Sequence, residues 1–328
     1  MAWLGAVQAQ DLDGAKWAVG LRTRHATAAA IEQAFAAGEI VRTHVLRPTW
    51  HFVAPADIRW MLQLTAPRVN LAMHAYYRKY ELAEAAFRRS RAALTAALRG
   101  GRHLTRDDLR RAVERAGIRA EGLRFLLLLL RAELDGVICS GARVGHRITY
   151  ALLDDRLPAS RRLTRDEALS ELTRRYFTSH GPATLKDFAW WSGLPAVDAA
   201  RGLDSVRWAL DSDEMDGVTY WCSASAPTAR SSRAAYLLPA YDEYLIAYRD
   251  RTAPLHPGSR QQGTQAPFTS TIVMGGRIIG TWARTVRRNF VVLKLEPFGR
   301  IRRAEKQAVV RAARHYGAFL GRPMMVKT

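Results

Sequence analysis

The sequence predicts an α+β protein that is mainly α. Three observations predict it. Amphipathic stretches with apolar residues three and four apart recur over the first two thirds of the chain. Several of these are followed by a short pair of strand-like segments. After residue 227 the pattern changes to alternating apolar residues around a Gly-Gly turn, and the chain closes on one long helical run.

Composition narrows the class of partner. The 328 residues are 48% hydrophobic and 24% charged, enough for a sizeable core and unlike a disordered chain. Lys+Arg number 50 against 30 Asp+Glu, a net charge of +20. Arg supplies 44 of the fifty. A GC-rich genome explains Arg in place of Lys, but not the shortage of acids. An excess of this size points to a polyanion, most simply nucleic acid. Cys139 and Cys222 stand far apart with no CxxC spacing, so neither a disulfide framework nor a zinc site is expected. The start, MAWLGAV, is apolar but short and lacks a basic region ahead of it. Phe125 to Leu130 is too short to span a bilayer. The expectation is a reduced, cytoplasmic, monomeric protein, drawn to the nucleoid through DNA, with no membrane contact, metal or cofactor.

The elements follow in order. Thr27 can cap a helix through AAAIEQAFAAG, with Ile31, Ala34 and Phe35 on one face and Gly38 at its end. IVRTHVL and PTWHFV read as two strands, turning at Arg47-Pro48-Thr49. Thr105 caps LTRDDLRRAVERAGI, with Asp107 and Asp108 in the first turn to suit the helix dipole. GLRFLLLLLRAELDG is apolar nearly all round, hence a buried helix. VICSGARVGHRITYAL reads as a hairpin turning at Gly141 to Gly145. In the third unit, LTRDEALSELTRRYFTSHG leads to a break at Gly181-Pro182. Thr184 then caps a helix that Gly193 ends, and GVTYWCS is a strand. AYLLPAYDEYLIAYRDR looks strand-like, HPGSRQQGTQAPF is a loop, STIVMGG and RIIGTWART form a hairpin, NFVVLKLEPF is a strand and AEKQAVVRAARHYGAFL a helix.

Helix, turn, helix and hairpin is the winged-helix plan, and three in tandem suggest a DNA-binding body. The expected domains are 1–90, 91–160 and 161–226 as three winged helices, with 227–328 as a β-sheet and helix element.

The sequence offers few catalytic candidates. Gln8-Ala9-Gln10 places two amides at i and i+2, which project to one side if the stretch is extended. Each amide both donates and accepts, so two can hold one water from several directions. A polar pair on a solvated face is the plainer alternative. His44 and His51 flank the Arg47-Pro48-Thr49 turn and can face a common site; a satisfied core histidine is the alternative. Asp242 and Glu243, adjacent acids among aromatics, can stabilise a cationic transition state, with Asp242 the choice of the two. The alternative is an ion pair with Arg249 or Arg251. Basic stretches interleaved with aromatics run over 68–91, 244–251 and 282–288. The candidates for DNA contact are Arg42, His44, Arg47, His51, Arg68, Arg249, Arg251, Trp282 and Arg284. No HExxH, GxGxxG, Walker or GxSxG pattern is present.

Five motifs occur in a fixed order: LGAVQAQDLDGAKWAVGLR, RTHVLRPTWHFVAPADIRWML, SHGPATLKDFAWWSGL, LLPAYDEYLIAYRDR and GGRIIGTWART. Together they resemble the bacterial winged-helix DNA glycosylases of the AlkZ/YcaQ type over nearly the whole chain. The resemblance implies three tandem winged helices and a β-containing element in a C-shaped body around a basic channel for duplex DNA. It implies that Gln8 and Gln10, a Gln-x-Gln signature, position the water that attacks C1′ of an alkylated nucleotide. The substrates it implies are N7-alkylated purines and, in some members, cross-links or bulky adducts of alkylating natural products, a role that includes self-resistance of a toxin producer. Relatives carry a helical segment of roughly twenty to thirty residues before the glutamine motif, an ordinary helix length. Here the motif starts at residue 8, so either the start is truncated or that support is lost.

Two classes of function fit. A monofunctional DNA glycosylase needs the placed water. A non-catalytic winged-helix regulator needs a helix rich in base-reading side chains, whereas TLKDFAWWSG is apolar and aromatic. That composition favours the enzyme.

Overall fold

The structure is a computed structural model that describes residues 1–157, 162–226, 232–255 and 268–327. It is mainly helical with several small sheets and divides into two compact units. One comprises Met1–Ala6 and Ala34–Cys222, the other Val7–Gln33 and Ser223–Thr328. The second is therefore assembled from the two ends of the sequence.

In the first unit, strands Val41–Val45 and Arg47–Val53 form an antiparallel hairpin. The expected turn at Arg47-Pro48-Thr49 is corrected. The chain reverses at Leu46, which adopts φ +64°, and Arg47 already pairs with Val45. The Leu46 N–H donates to Thr65 Oγ1 at 3.2 Å, so the turn is fixed by a helix behind it. That helix, Ile58–Lys79, and the next, Glu84–Leu98, cover the 68–91 stretch, where the basic residues read as one solvated face. Both hide a stripe of apolar residues, including Met61, Leu64, Phe87 and Leu94.

Thr105 caps helix Arg106–Arg115 with the reciprocal Thr105–Asp108 bonds that its sequence predicts. Helix Gly122–Leu134 buries Phe125 and Leu127 to Leu130, as its composition requires. The following hairpin is longer than expected. Strands Ile138–Ser140 and Thr149–Leu152 are separated by an excursion pinched by a Val144–Arg147 bridge, so the tip is at Gly145-His146, at the far end of the expected 141–145 turn. Helices Arg165–His180, Leu185–Ser192 and Ala196–Val206 follow, and strands Leu210–Met215 and Val218–Ser223 close the unit. Gly193 ends the middle helix at φ +68°, and a Cβ there would clash with Leu46 O.

In the second unit, helix Leu12–Leu21 starts at Asp11, whose side chain accepts from Gly14 N–H. A five-stranded sheet runs in the order Met324–Lys327, Val291–Pro297, Arg277–Val286, Thr271–Met274, Ala235–Leu238. It is antiparallel except for Met324–Lys327, a parallel strand beyond the expected final helix. Helix Arg303–Leu320 packs on it. AYLLPAYDEYLIAYRDR is not one strand: Ala235–Leu238 is extended, and Asp242 then caps a helical turn, Glu243–Ile246. Most of HPGSRQQGTQAPF lies outside the described residues. Two indoles hold the edge strand. Trp17 Nε1 donates to Leu237 O at 2.6 Å and Trp282 Nε1 to Leu238 O at 2.8 Å, and both rings pack edge-on against Tyr316.

Candidate active site

The glutamine segment belongs to the second unit. Strand Ala6–Gln8 ends at the first glutamine, Ala9 is buried and Gln10 lies on a bend directly before the cap residue Asp11. Gln8 is 6% exposed while Gln10 is open to solvent. One glutamine is therefore buried and the other exposed. The Gln8 main-chain N–H donates to Glu243 Oε1 at 2.7 Å.

The two acids of AYDEY have different duties. Asp242 is buried, and both its oxygens are engaged by the Arg22 guanidinium at 2.7 and 2.9 Å, while it also accepts from Tyr244 N–H. Burial works against the Arg22 charge, but Asp242 and, further off, Glu243 outweigh it and hold Arg22 above its ordinary value. Asp242 is thus held in an ion pair, and its partner is Arg22 rather than Arg249 or Arg251. Glu243, 2% exposed, is the acid that reaches Gln8, through its main-chain N–H. The sequence signal for Glu243 was the adjacency of two acids. Which one faces Gln8 depends on where the helical turn begins.

The candidates for DNA contact divide by exposure. His44 and His51 do not face a common site: His44 pairs with Trp50 and Thr43 with His51, so the two imidazoles leave opposite faces of the hairpin. His44 Nδ1 is hydrogen-bonded to the buried Glu133, and His51 Nδ1 lies 2.9 Å from Thr49 O. Arg42 is buried with its guanidinium 4.3 Å from the Trp50 ring, and burial lowers its pKa despite Glu133 and Tyr150 nearby. Trp282 is a core residue. For Arg42, His44, His51 and Trp282 the expected surface contact is corrected to packing, because each is 6% exposed or less. Arg47 is half-buried near the Trp190 ring, Arg251 donates to Leu245 O, and Arg284 reaches Asp11 at 3.3 Å. Arg68 and Arg249 are exposed, as is the hairpin tip carrying Arg287, Arg288 and Phe290. Among the described residues no group of three or more His, Cys, Asp or Glu is placed to hold a metal ion, and no helix is long and apolar enough to cross a membrane. Cavities of about 670 Å³ beside Trp60 and about 430 Å³ beside Trp17 do not include Gln8 or Gln10 in their linings.

A basic, mainly helical α+β chain with a paired-amide segment fixed through its main chain agrees with a DNA glycosylase. The family model described as AlkZ-like DNA glycosylase matches residues 1–319, and the chain belongs to that family. It is a hydrolase of N-glycosyl bonds in DNA. An interstrand DNA cross-link repair glycosylase of Streptomyces sahachiroi is 27% identical over 345 residues, spanning 97% of this chain and 89% of its own. The solved structure of the Streptomyces sahachiroi DNA glycosylase AlkZ superposes with a TM-score of 0.78 at 22% identity, covering 99% of this chain and 92% of that one.

Proposed function

We propose that this glycosylase hydrolyses the bond between C1′ and the base of N7-alkylated purine nucleotides in duplex DNA, with the attacking water held by Gln8 and Gln10. The observation that carries the reading is the Gln8 main-chain bond to Glu243, which fixes an otherwise irregular segment bearing two amides. An N7-alkylpurine is already cationic, so it departs without a strong acid. The C1′–N9 bond breaks, its electron pair goes to the purine, water oxygen bonds to C1′ and a proton leaves to solvent. The products are the neutral alkylated base and an abasic sugar. What remains for the protein is placement of the water and an electrostatic setting for the oxocarbenium-like sugar. Neutral amides suit the first task, since they orient water through lone pairs and N–H groups without competing for its proton.

The three winged helices of 1–90, 91–160 and 161–226, and the element at 227–328, belong to the same proposal. So do phosphate contacts by Arg68, Arg249 and the 287–290 tip, action as a monomer, and a cytoplasmic site of action on DNA. The name of the Streptomyces relative makes interstrand cross-links the second substrates to test.

The test is base release from duplex DNA containing N7-methylguanine, with Gln8→Ala and Gln10→Ala beside the wild type. Each substitution is expected to slow release at least ~100-fold, about 2.7 kcal/mol of transition-state stabilisation, with DNA affinity nearly intact. Wild-type rates in both variants would sink the glutamine assignment.

A further inference from the structure

Gln8 and Glu243 meet across 235 residues of sequence, and both are buried. The strand that delivers Gln8 is three residues long, so the segment beyond it has little regular structure to hold its place. A main-chain N–H left without an acceptor at this depth is costly, and a carboxylate is the strongest acceptor a side chain can offer. The carboxylate is itself well fixed. Asp242 caps the turn that carries Glu243 and is forked by Arg22, which ends helix Leu12–Leu21. Leu245, two residues on, is buried in a cluster with Leu238, Val273 and Ile278. On the far side of the segment, Asp11 is tied to Gly14 N–H and to Arg284. The glutamine segment is therefore held at both ends, by Glu243 before it and by Asp11 after it.

We propose that Glu243 is a positioning residue for base release: by holding the Gln8 main-chain N–H, its carboxylate fixes where the Gln8 and Gln10 amides stand. The proposal rests on the glutamine reading above. Its force comes from geometry, because a displacement of about 1 Å in a group that orients a reactant costs on the order of 100-fold in rate. Glu243 acts through Gln8.

The test uses the full chain with Glu243→Ala, Glu243→Gln, Gln8→Ala and the double variant Gln8→Ala/Glu243→Ala. Single-turnover release from N7-methylguanine duplex is measured with enzyme in excess, alongside DNA affinity. Glu243→Ala is expected to slow the chemical step ~100-fold while affinity changes by less than about twofold. Glu243→Gln keeps an acceptor oxygen at the same reach and is expected to retain activity within about tenfold. Adding Glu243→Ala to Gln8→Ala is expected to cost less than about threefold more, the non-additivity of two residues acting as one. Amide exchange at Gln8 is a readout that needs no substrate: it is expected to speed up in Glu243→Ala and stay slow in Glu243→Gln. If Gln8→Ala is inactive but Glu243→Ala releases base normally, Glu243 has no positioning role and the glutamine reading stands. If Gln8→Ala is fully active, the glutamine reading falls first and this proposal with it. A Glu243→Gln as slow as Glu243→Ala, or exchange at Gln8 that does not respond, overturns the proposal on its own.

Discussion

Asp242 takes hydrogen bonds from both Arg22 Nη atoms and from Tyr244 N–H, and its side chain is fully buried. Replacing it with Ala strands the guanidinium of Arg22, whose side chain is 30% exposed. The loss of one partner of a buried pair costs about 3–5 kcal/mol, and water reaching Arg22 puts this case at the lower end. Asp242→Ala is therefore expected to lower Tm by several degrees in thermal unfolding; an unchanged Tm would show that the fork contributes nothing. The sequence made Asp242 visible as an acid in a basic protein, but its partner stands 220 residues away, beyond the reach of any local pattern. The same distance hid the contact between Glu243 and Gln8. Gln8 and Gln10 stand out in the sequence because their spacing is itself the signal. Their unequal burial was not, since it depends on a strand that stops at Gln8.

Among the elements, what could be read was whatever the chain encodes within a few residues. The caps at Thr105 and Thr184, each with Asp three residues on, mark helix starts that the structure reproduces. The Gly275-Gly276 hairpin is likewise local, with Thr271–Met274 paired to Arg277–Val286. The turn at Leu46 escaped because Pro48 and Thr49 are stronger turn formers than Leu. Leu46 is held at positive φ by Thr65 and by the close approach of Gly193, neither of them neighbours in sequence. This contact gives a prediction at the same scale. Gly193→Ala adds both φ strain and a clash with Leu46 O, an expected loss of at least ~2 kcal/mol. Gly100→Ala, at φ +79° with open space around it, adds the strain alone and is expected to lose about 1 kcal/mol. Denaturant titration of the two variants separates them; equal losses would remove the Leu46 contact from the account.

At the scale of the whole molecule, a net charge of +20 dominates. If duplex DNA is the partner, each phosphate neutralised releases counterions, and log K is expected to fall by about 0.9 for each such contact per decade of salt. Fluorescence anisotropy from low to physiological salt measures the slope. A glycosylase that finds lesions wherever they occur is also expected to show little preference among random undamaged sequences. A flat salt profile, or one strongly preferred sequence, would contradict that picture. The charge itself was readable from composition. Which arginines face outward was not, because Arg42 is buried against Trp50 while Arg68 is exposed, and the two look alike in the chain.

The long reach between Gln8 and Glu243 also bears on synthesis. At about 5–20 residues per second, roughly 12–50 s pass on the ribosome between the making of Gln8 and the making of its acceptor. During that interval the nascent chain gains its first unit, with Arg68 and the helices around it, while the glutamine segment still lacks its latch. A polypeptide abandoned midway is expected to cling to DNA through its positive charge yet excise nothing. On the proposed reading, chemical competence waits until Glu243 has been made, a delay set by where two residues fall in the reading frame.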